Sequence, residues 1–145
     1  KDREPQMVTS FIDVIRKYGV QDRILVASFE SGTLGRFREQ IPEVATSPGL
    51  TEGAMFYLLC RLHLSVVYHP NAEVLQFPVR FPLKLDTKHP ALINGAHENN
   101  MQVQIWTVDD KSDMKLLIER GVNGIITRRP DRLLKLLGRL PQGNN

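Results

Sequence analysis

Apolar side chains along this chain recur with two alternating periods, a short one typical of strands and a longer one typical of helices. The pattern is plainest near the C-terminus. Val103, Ile105, Trp106, Thr107 and Val108 form a β-branched and aromatic run that predicts a buried strand. Met114, Leu117 and Ile118 then fall on one helical face, with Lys111, Lys115, Glu119 and Arg120 on the others. Asp109 or Asp110 can accept from the orphan N–H groups at the start of this helix, and Asp113 adds negative charge to its first turn. Gly121 stands where a helix stops through a residue at positive φ. Residues 122–127 predict a second strand, and Pro130 can open another helix. Strand, helix and strand with such short joints make a βαβ unit with parallel strands.

The alternation extends upstream. Val8, Phe11, Ile12 and Ile15 share a helical face, with Pro5 near the start and Gly19 at the stop. A buried strand over 24–29 ends in Ser28 and Phe29, and Leu34, Phe37 and Ile41 follow at helical spacing. A short strand at 44–47 leads into a strongly apolar helix over 50–64, with Thr51 as its N-cap. A strand at 73–77 is ended by Pro78. An irregular stretch from Val79 to Pro90 precedes another helix. With strands at 103–108 and 122–127 and a last helix from about Asp131, the reading is α/β, with five parallel β/α units. Such a series fits either a doubly wound open sheet or part of a (β/α)8 barrel. No G-x-G-x-x-G segment follows any strand, which counts against a dinucleotide-binding sheet.

Composition narrows the class. The 145 residues, 41% hydrophobic and 24% charged, suffice for one domain with a core. No apolar run is long enough to span a bilayer, and the opening KDREPQ lacks the pattern of a signal peptide. The single Cys60 excludes an intrachain disulfide and supplies no zinc motif. Within an apolar helix it reads as a small buried thiol, in keeping with a reducing, cytoplasmic setting. The net charge of +3 is modest, and no basic–aromatic interleaving points to nucleic acid. His63, His69, His89 and His97 share no metal-ligand spacing. Asp109, Asp110 and Asp113 read as capping groups before metal ligands.

The strand ends VASF, LQFP, IWTV and GIIT, in that order, resemble those of the glycerophosphodiester phosphodiesterases. Trp106-Thr107-Val108, Gly121-Val122, Gly124 to Thr127 and Pro130-Asp131 match that family's C-terminal signature position for position. Arg128 departs from it, standing where Asp or Asn is usual; that position is expected to tune the barrel rim or the phosphate environment. The resemblance implies a (β/α)8 TIM barrel, of which this chain holds strands four to eight. It also implies hydrolysis of glycerophosphodiesters to glycerol 3-phosphate and an alcohol with a divalent cation, Ca²⁺ or Mg²⁺. The family's H-R-G strand end, Glu-x-Asp metal ligands and H-D turn belong to its N-terminal strands and do not occur here. Residues 1–145 therefore read as a partial domain with no catalytic residue or metal ligand of its own, inactive alone. Five strands of a closed barrel leave open edges. The expected partner is the missing N-terminal half or a second copy.

Active sites of such barrels lie at the C-terminal ends of the strands, where Lys1, Ser28, Phe29, Gln76 and Trp106 fall. The resemblance casts Lys1 as the lysine of an E-x-K strand end, whose ammonium offsets charge on the phosphoryl oxygens. Trp106 is either an apolar wall for the glycerol part or a core filler. Gln76 is either a pocket donor or a satisfied core amide, and Ser28 and Phe29 belong to the pocket rim. Two rival readings remain open: a non-catalytic partial-barrel interaction module, and another phosphate-handling TIM-barrel enzyme.

Overall fold

Helices and strands alternate through the computed structural model, which describes residues 5–80 and 85–140. In chain order the elements are α1 (Pro5–Tyr18), β1 (Leu25–Val26), α2 (Ser31–Gln40), β2 (Ala45–Thr46), α3 (Leu50–Arg61), β3 (Val74–Pro78), α4 (Pro90–Glu98), β4 (Gln102–Trp106), α5 (Lys111–Glu119), β5 (Gly124–Ile126) and α6 (Pro130–Leu136). All strand pairs are parallel, as short β–α–β connections require.

The five strands do not form one continuous ladder. β1 pairs with β2, and β3, β4 and β5 form a second sheet in sequential order. Side chains occupy the seam between the sheets. The Thr46 N–H donates to the Glu73 carboxylate at 2.7 Å, the Gln76 N–H donates to Ser47 Oγ at 3.2 Å, and one backbone bond runs from Glu73 N to Thr46 O at 3.1 Å. β2 thus lies beside β3 with most of the ladder replaced by carboxylate and hydroxyl acceptors. β1 is also shorter than its apolar run, so Ser28 and Phe29 lie in the loop beyond it.

Helix ends follow local chemistry. Asp110 caps α5 by accepting from Ser112 N and Asp113 N, at 2.8 and 3.2 Å, and Gly121 at φ +78° ends that unit. The α3 cap differs from expectation. Thr51 lies inside the helix, and Gly49 is the N-cap, its N–H donating to Glu52 at 2.9 Å. A Cβ on residue 49 would stand 2.7 Å from Ser31 Oγ, so the close approach of the α2 start selects glycine there.

The core falls into two clusters. Val8, Ile12, Ile15, Phe37, Ile41 and Val44 pack α1 and α2 beneath β1 and β2. A larger cluster joins α3, α4 and α5 to the outer-facing Leu75, Phe77, Val103 and Ile105 of β3 and β4. Phe11, expected on the buried face of α1, is 45% exposed and only tilts against Phe37, with ring centroids 6.1 Å apart. It belongs to a second apolar stripe, Met7, Phe11, Val14 and Tyr18, that no described element covers. No described strand pairs with the outer edge of β1 or of β5.

Candidate active-site cleft

Strand alternation decides what faces the inside of the sheet. Val103 and Ile105 point toward the helices and are fully buried, so Gln104 and Trp106 share the opposite face. Gln76 lies directly opposite Gln104 in the parallel register, and its Nε2 donates to Gln104 Oε1 at 2.9 Å. The next strand contributes Gly124 beside Gln104, where a Cβ would meet Gln104 Cγ at 3.1 Å. The inner face is therefore a half-buried amide row rather than an apolar one.

At the C-terminal end of this face lies a cleft of about 170 Å³. Ser28 and Phe29 reach it from the loop after β1, Ser47 and Pro48 from the loop after β2, Gln76 from β3 and Trp106 from β4. Phe29 is 56% exposed and tilts against Trp106 at a centroid distance of 6.4 Å. Together they form an aromatic corner. Ser28 Oγ accepts from Glu30 N at 3.1 Å, which fixes the turn and leaves its hydroxyl proton free to donate. Trp106 Nε1 is buried with no acceptor among the described residues.

Trp106 also borders a second hollow of about 480 Å³ on the rim, reached by Arg80, Asp109, Asp113 and Arg128. Its acids are already engaged. Asp109 accepts from Arg128 N at 2.9 Å, Arg128 Nε at 2.7 Å and Thr127 Oγ1 at 3.0 Å. The Arg128 backbone N–H and guanidinium hold its carboxyl below the ordinary carboxylate range. Asp110 is lowered by its bonds to the Ser112 hydroxyl and to the capped N–H groups. Asp113 pairs with Lys88 at 2.7 Å. Arg128, the departure from the family pattern, thus clasps the β5–α6 turn to the β4–α5 turn on the barrel rim.

Of the expected site residues, Ser28, Phe29, Gln76 and Trp106 come together in the cleft, and Lys1 lies outside the described residues. Ser47 and Gln104 were not singled out from the sequence. The period-two alternation with Trp106 marks Gln104, whereas nothing local marks Ser47. His89 caps α4 through its Nδ1, and His97 Nε2 meets Asn123 Oδ1 at 3.1 Å. No group of three His, Cys, Asp or Glu suited to a metal ion occurs among the described residues, so these side chains do not fit a divalent cation. Cys60 is buried, and burial pushes its thiol up to about 11. No described helix is long and apolar enough to cross a membrane.

Residues 1–132 match the family model of the glycerophosphoryl diester phosphodiesterases. The chain is 26% identical over 133 residues to a glycerophosphodiester phosphodiesterase of Caldanaerobacter subterraneus subsp. tengcongensis, covering 92% of this chain and 50% of that protein. It is 31% identical over 131 residues to a probable glycerophosphodiester phosphodiesterase 2 of Mycobacterium tuberculosis, covering 87% and 49%. Among solved structures, a putative glycerophosphoryl diester phosphodiesterase from Silicibacter pomeroyi superposes with a TM-score of 0.68 at 24% identity, over 90% of this chain and 43% of that one. A putative glycerophosphodiester phosphodiesterase from Galdieria sulphuraria gives 0.69 at 19% identity, over 94% and 52%. The chain spans about half the length of the curated relatives it matches. It belongs to the glycerophosphoryl diester phosphodiesterase family and carries the C-terminal part of that family's (β/α)8 barrel.

Proposed function

We propose that this chain forms the substrate-binding half of a barrel that hydrolyses glycerophosphodiesters to glycerol 3-phosphate and an alcohol. The observation that carries the reading is the convergence of Ser28, Phe29, Gln76 and Trp106 from three different strand ends into one cleft. In this reading the Phe29–Trp106 corner packs on the carbon skeleton of the glycerol. The Gln76–Gln104 amide row and the Ser28 hydroxyl orient its hydroxyls, and Lys1 offsets charge on the phosphoryl oxygens. The family's cation, Ca²⁺ or Mg²⁺, polarises the phosphoryl group when bound. Its ligands and the acid–base histidines belong to the N-terminal barrel strands.

The open edge supports completion by those strands. The Met7, Phe11, Val14 and Tyr18 stripe of α1 and the outer edge of β1 are both left uncovered by the described elements, and a preceding β/α unit of a closed barrel would supply cover of that kind. This chain alone is accordingly inactive. The test is release of glycerol 3-phosphate from glycerophosphocholine, with Mg²⁺ or Ca²⁺, by this chain alone and by the same chain joined to a family N-terminal half. Activity only in the joined form is expected. Cation-dependent turnover by the chain alone refutes the division of labour, and an inactive but folded joined form refutes the hydrolase reading.

A further inference from the structure

The cleft straddles the seam between the two sheets. Ser28, Ser47 and Pro48 line it from the β1–β2 side, and Gln76, Phe77 and Trp106 from the β3–β4 side. Its width therefore depends on how β2 is held beside β3. Past Thr46 a backbone ladder cannot run on, because Pro48 has no N–H to donate. Side chains take over there. The Ser47 hydroxyl accepts from Gln76 N at 3.2 Å, and the Thr46 hydroxyl donates to Asn71 O at 3.4 Å.

Glu73, immediately before β3, grips Thr46 by both of its backbone groups. The Glu73 N–H donates to Thr46 O at 3.1 Å, and the Glu73 carboxylate accepts from Thr46 N at 2.7 Å. A bond to a charged acceptor is the stronger kind. Thr46 is 2% exposed, so loss of that carboxylate would leave its N–H a buried donor without an acceptor among the described residues. The next residue is Ser47, whose N–H donates to Val26 O at 3.0 Å and whose carbonyl accepts from Arg38 Nη2 at 3.3 Å. Ser47 is thus tied to β1 and α2, and the clip one residue earlier brings its hydroxyl within range of Gln76. Glu73 itself does not line the cleft. We infer that Glu73 is a positioning residue for the substrate cleft. Its carboxylate, standing where a strand carbonyl would otherwise accept, sets the spacing of β2 from β3 and so the placement of Ser47 against Gln76.

The test compares Glu73→Ala, Glu73→Gln and Glu73→Asp in the chain joined to a family N-terminal half. The readouts are steady-state hydrolysis of glycerophosphocholine and amide hydrogen exchange followed by NMR. The kinetic readout rests on the hydrolase reading; the exchange readout does not. Glu73→Ala should raise KM about tenfold with kcat within about twofold, the signature of lost binding geometry. It should also speed exchange at both Thr46 and Gln76 by about tenfold or more. Glu73→Gln keeps a side-chain oxygen acceptor and should recover most of both effects. Glu73→Asp, one carbon short, should resemble the alanine variant, and it carries the test should that variant unfold. Unchanged KM and exchange in the alanine and aspartate variants overturn the assignment. So does a lower kcat at unchanged KM, which a merely less stable barrel would give. Exchange that quickens at Thr46 alone overturns it too, because the effect would then stop short of the cleft, as does a glutamine variant as impaired as alanine. A wild-type barrel without turnover would sink the hydrolase reading, and the exchange pattern would still uphold or overturn the role of Glu73.

Discussion

Arg38 joins three elements behind the cleft, and its replacement by methionine puts a number on that junction. From α2 its Nε donates to Thr46 Oγ1 at 3.0 Å, its Nη1 to Glu52 Oε1 at 3.0 Å and its Nη2 to the Ser47 carbonyl at 3.3 Å. The Arg38 and Glu52 side chains are 13% and 23% exposed, so this pair is screened less than a surface salt bridge. Arg38→Met keeps most of the apolar stem and removes every donor. Thr46 Oγ1 retains Asn71 O as a partner at 3.4 Å, and Glu52 retains Gly49 N. The losses are the charged bond to Glu52, near the low end of the roughly 1.5–3 kcal/mol such bonds contribute, and about 1 kcal/mol for the Ser47 carbonyl. A destabilisation of about 2–3 kcal/mol follows, equivalent to a fall in Tm of roughly 5–10 °C for a domain of this size.

Urea denaturation of wild type, Arg38→Met, Glu52→Gln and the double variant measures it. The cycle should return a coupling of about 1–2 kcal/mol between the two side chains. Arg38→Lys should recover only part of the loss, because an ammonium does not present the planar fork that spans Thr46, Glu52 and Ser47. Arg38→Met within about 0.5 kcal/mol of wild type would place it with ordinary surface substitutions and sink the argument. So would a coupling near zero.

Trp106→Phe keeps the aromatic wall and deletes an indole N–H that has no described partner. Thermal unfolding should therefore change little, and a loss above about 1.5 kcal/mol would reveal a hydrogen bond at that nitrogen. Gly53→Ala puts a Cβ 2.7 Å from Phe77 Cζ. A cost of about 1–3 kcal/mol in the same assay is expected, and a neutral result would mean that α3 and β3 part freely. The Asp109 carboxyl is depressed in the fold by the Arg128 N–H and guanidinium. Its stabilising effect is therefore fully present above the ordinary carboxylate value of about 3.9 and fades as pH falls through the lower folded value. Arg128→Ala should move the NMR titration midpoint of Asp109 upward, and an unmoved midpoint would remove Arg128 as the cause. Cys60, with its thiol pushed up to about 11 by burial, should resist alkylation of the native protein at pH 8. Mass spectrometry showing labelling as fast as in urea would contradict that burial.

The β/α rhythm was legible because each unit carries its own punctuation. Asp110, Gly121 and Pro130 bracket α5 and β5 with side chains and backbone angles that act over two or three residues, and such signals survive in a bare sequence. The family motifs were legible for the same reason, since Trp106-Thr107-Val108 and Gly124 to Thr127 are each an unbroken run at the end of one strand. What escaped is what depends on registry between distant segments. Ser47 enters the cleft because its loop meets β3, where its Oγ accepts from Gln76 N, and no local pattern marks a serine for that task. The Thr51 cap failed for a related reason: the approach of Ser31 to Gly49 starts α3 earlier than the hydroxyl at Thr51 would. Gln104 stands between the two cases. Its side of the strand follows from alternation with Val103 and Ile105, but its partner Gln76 is known only once β3 and β4 are in parallel register. Arg128 is the plainest example of the divide. The sequence marks it as a departure from the family, and only the fold shows that it meets Asp109, nineteen residues away, at the same rim of the barrel.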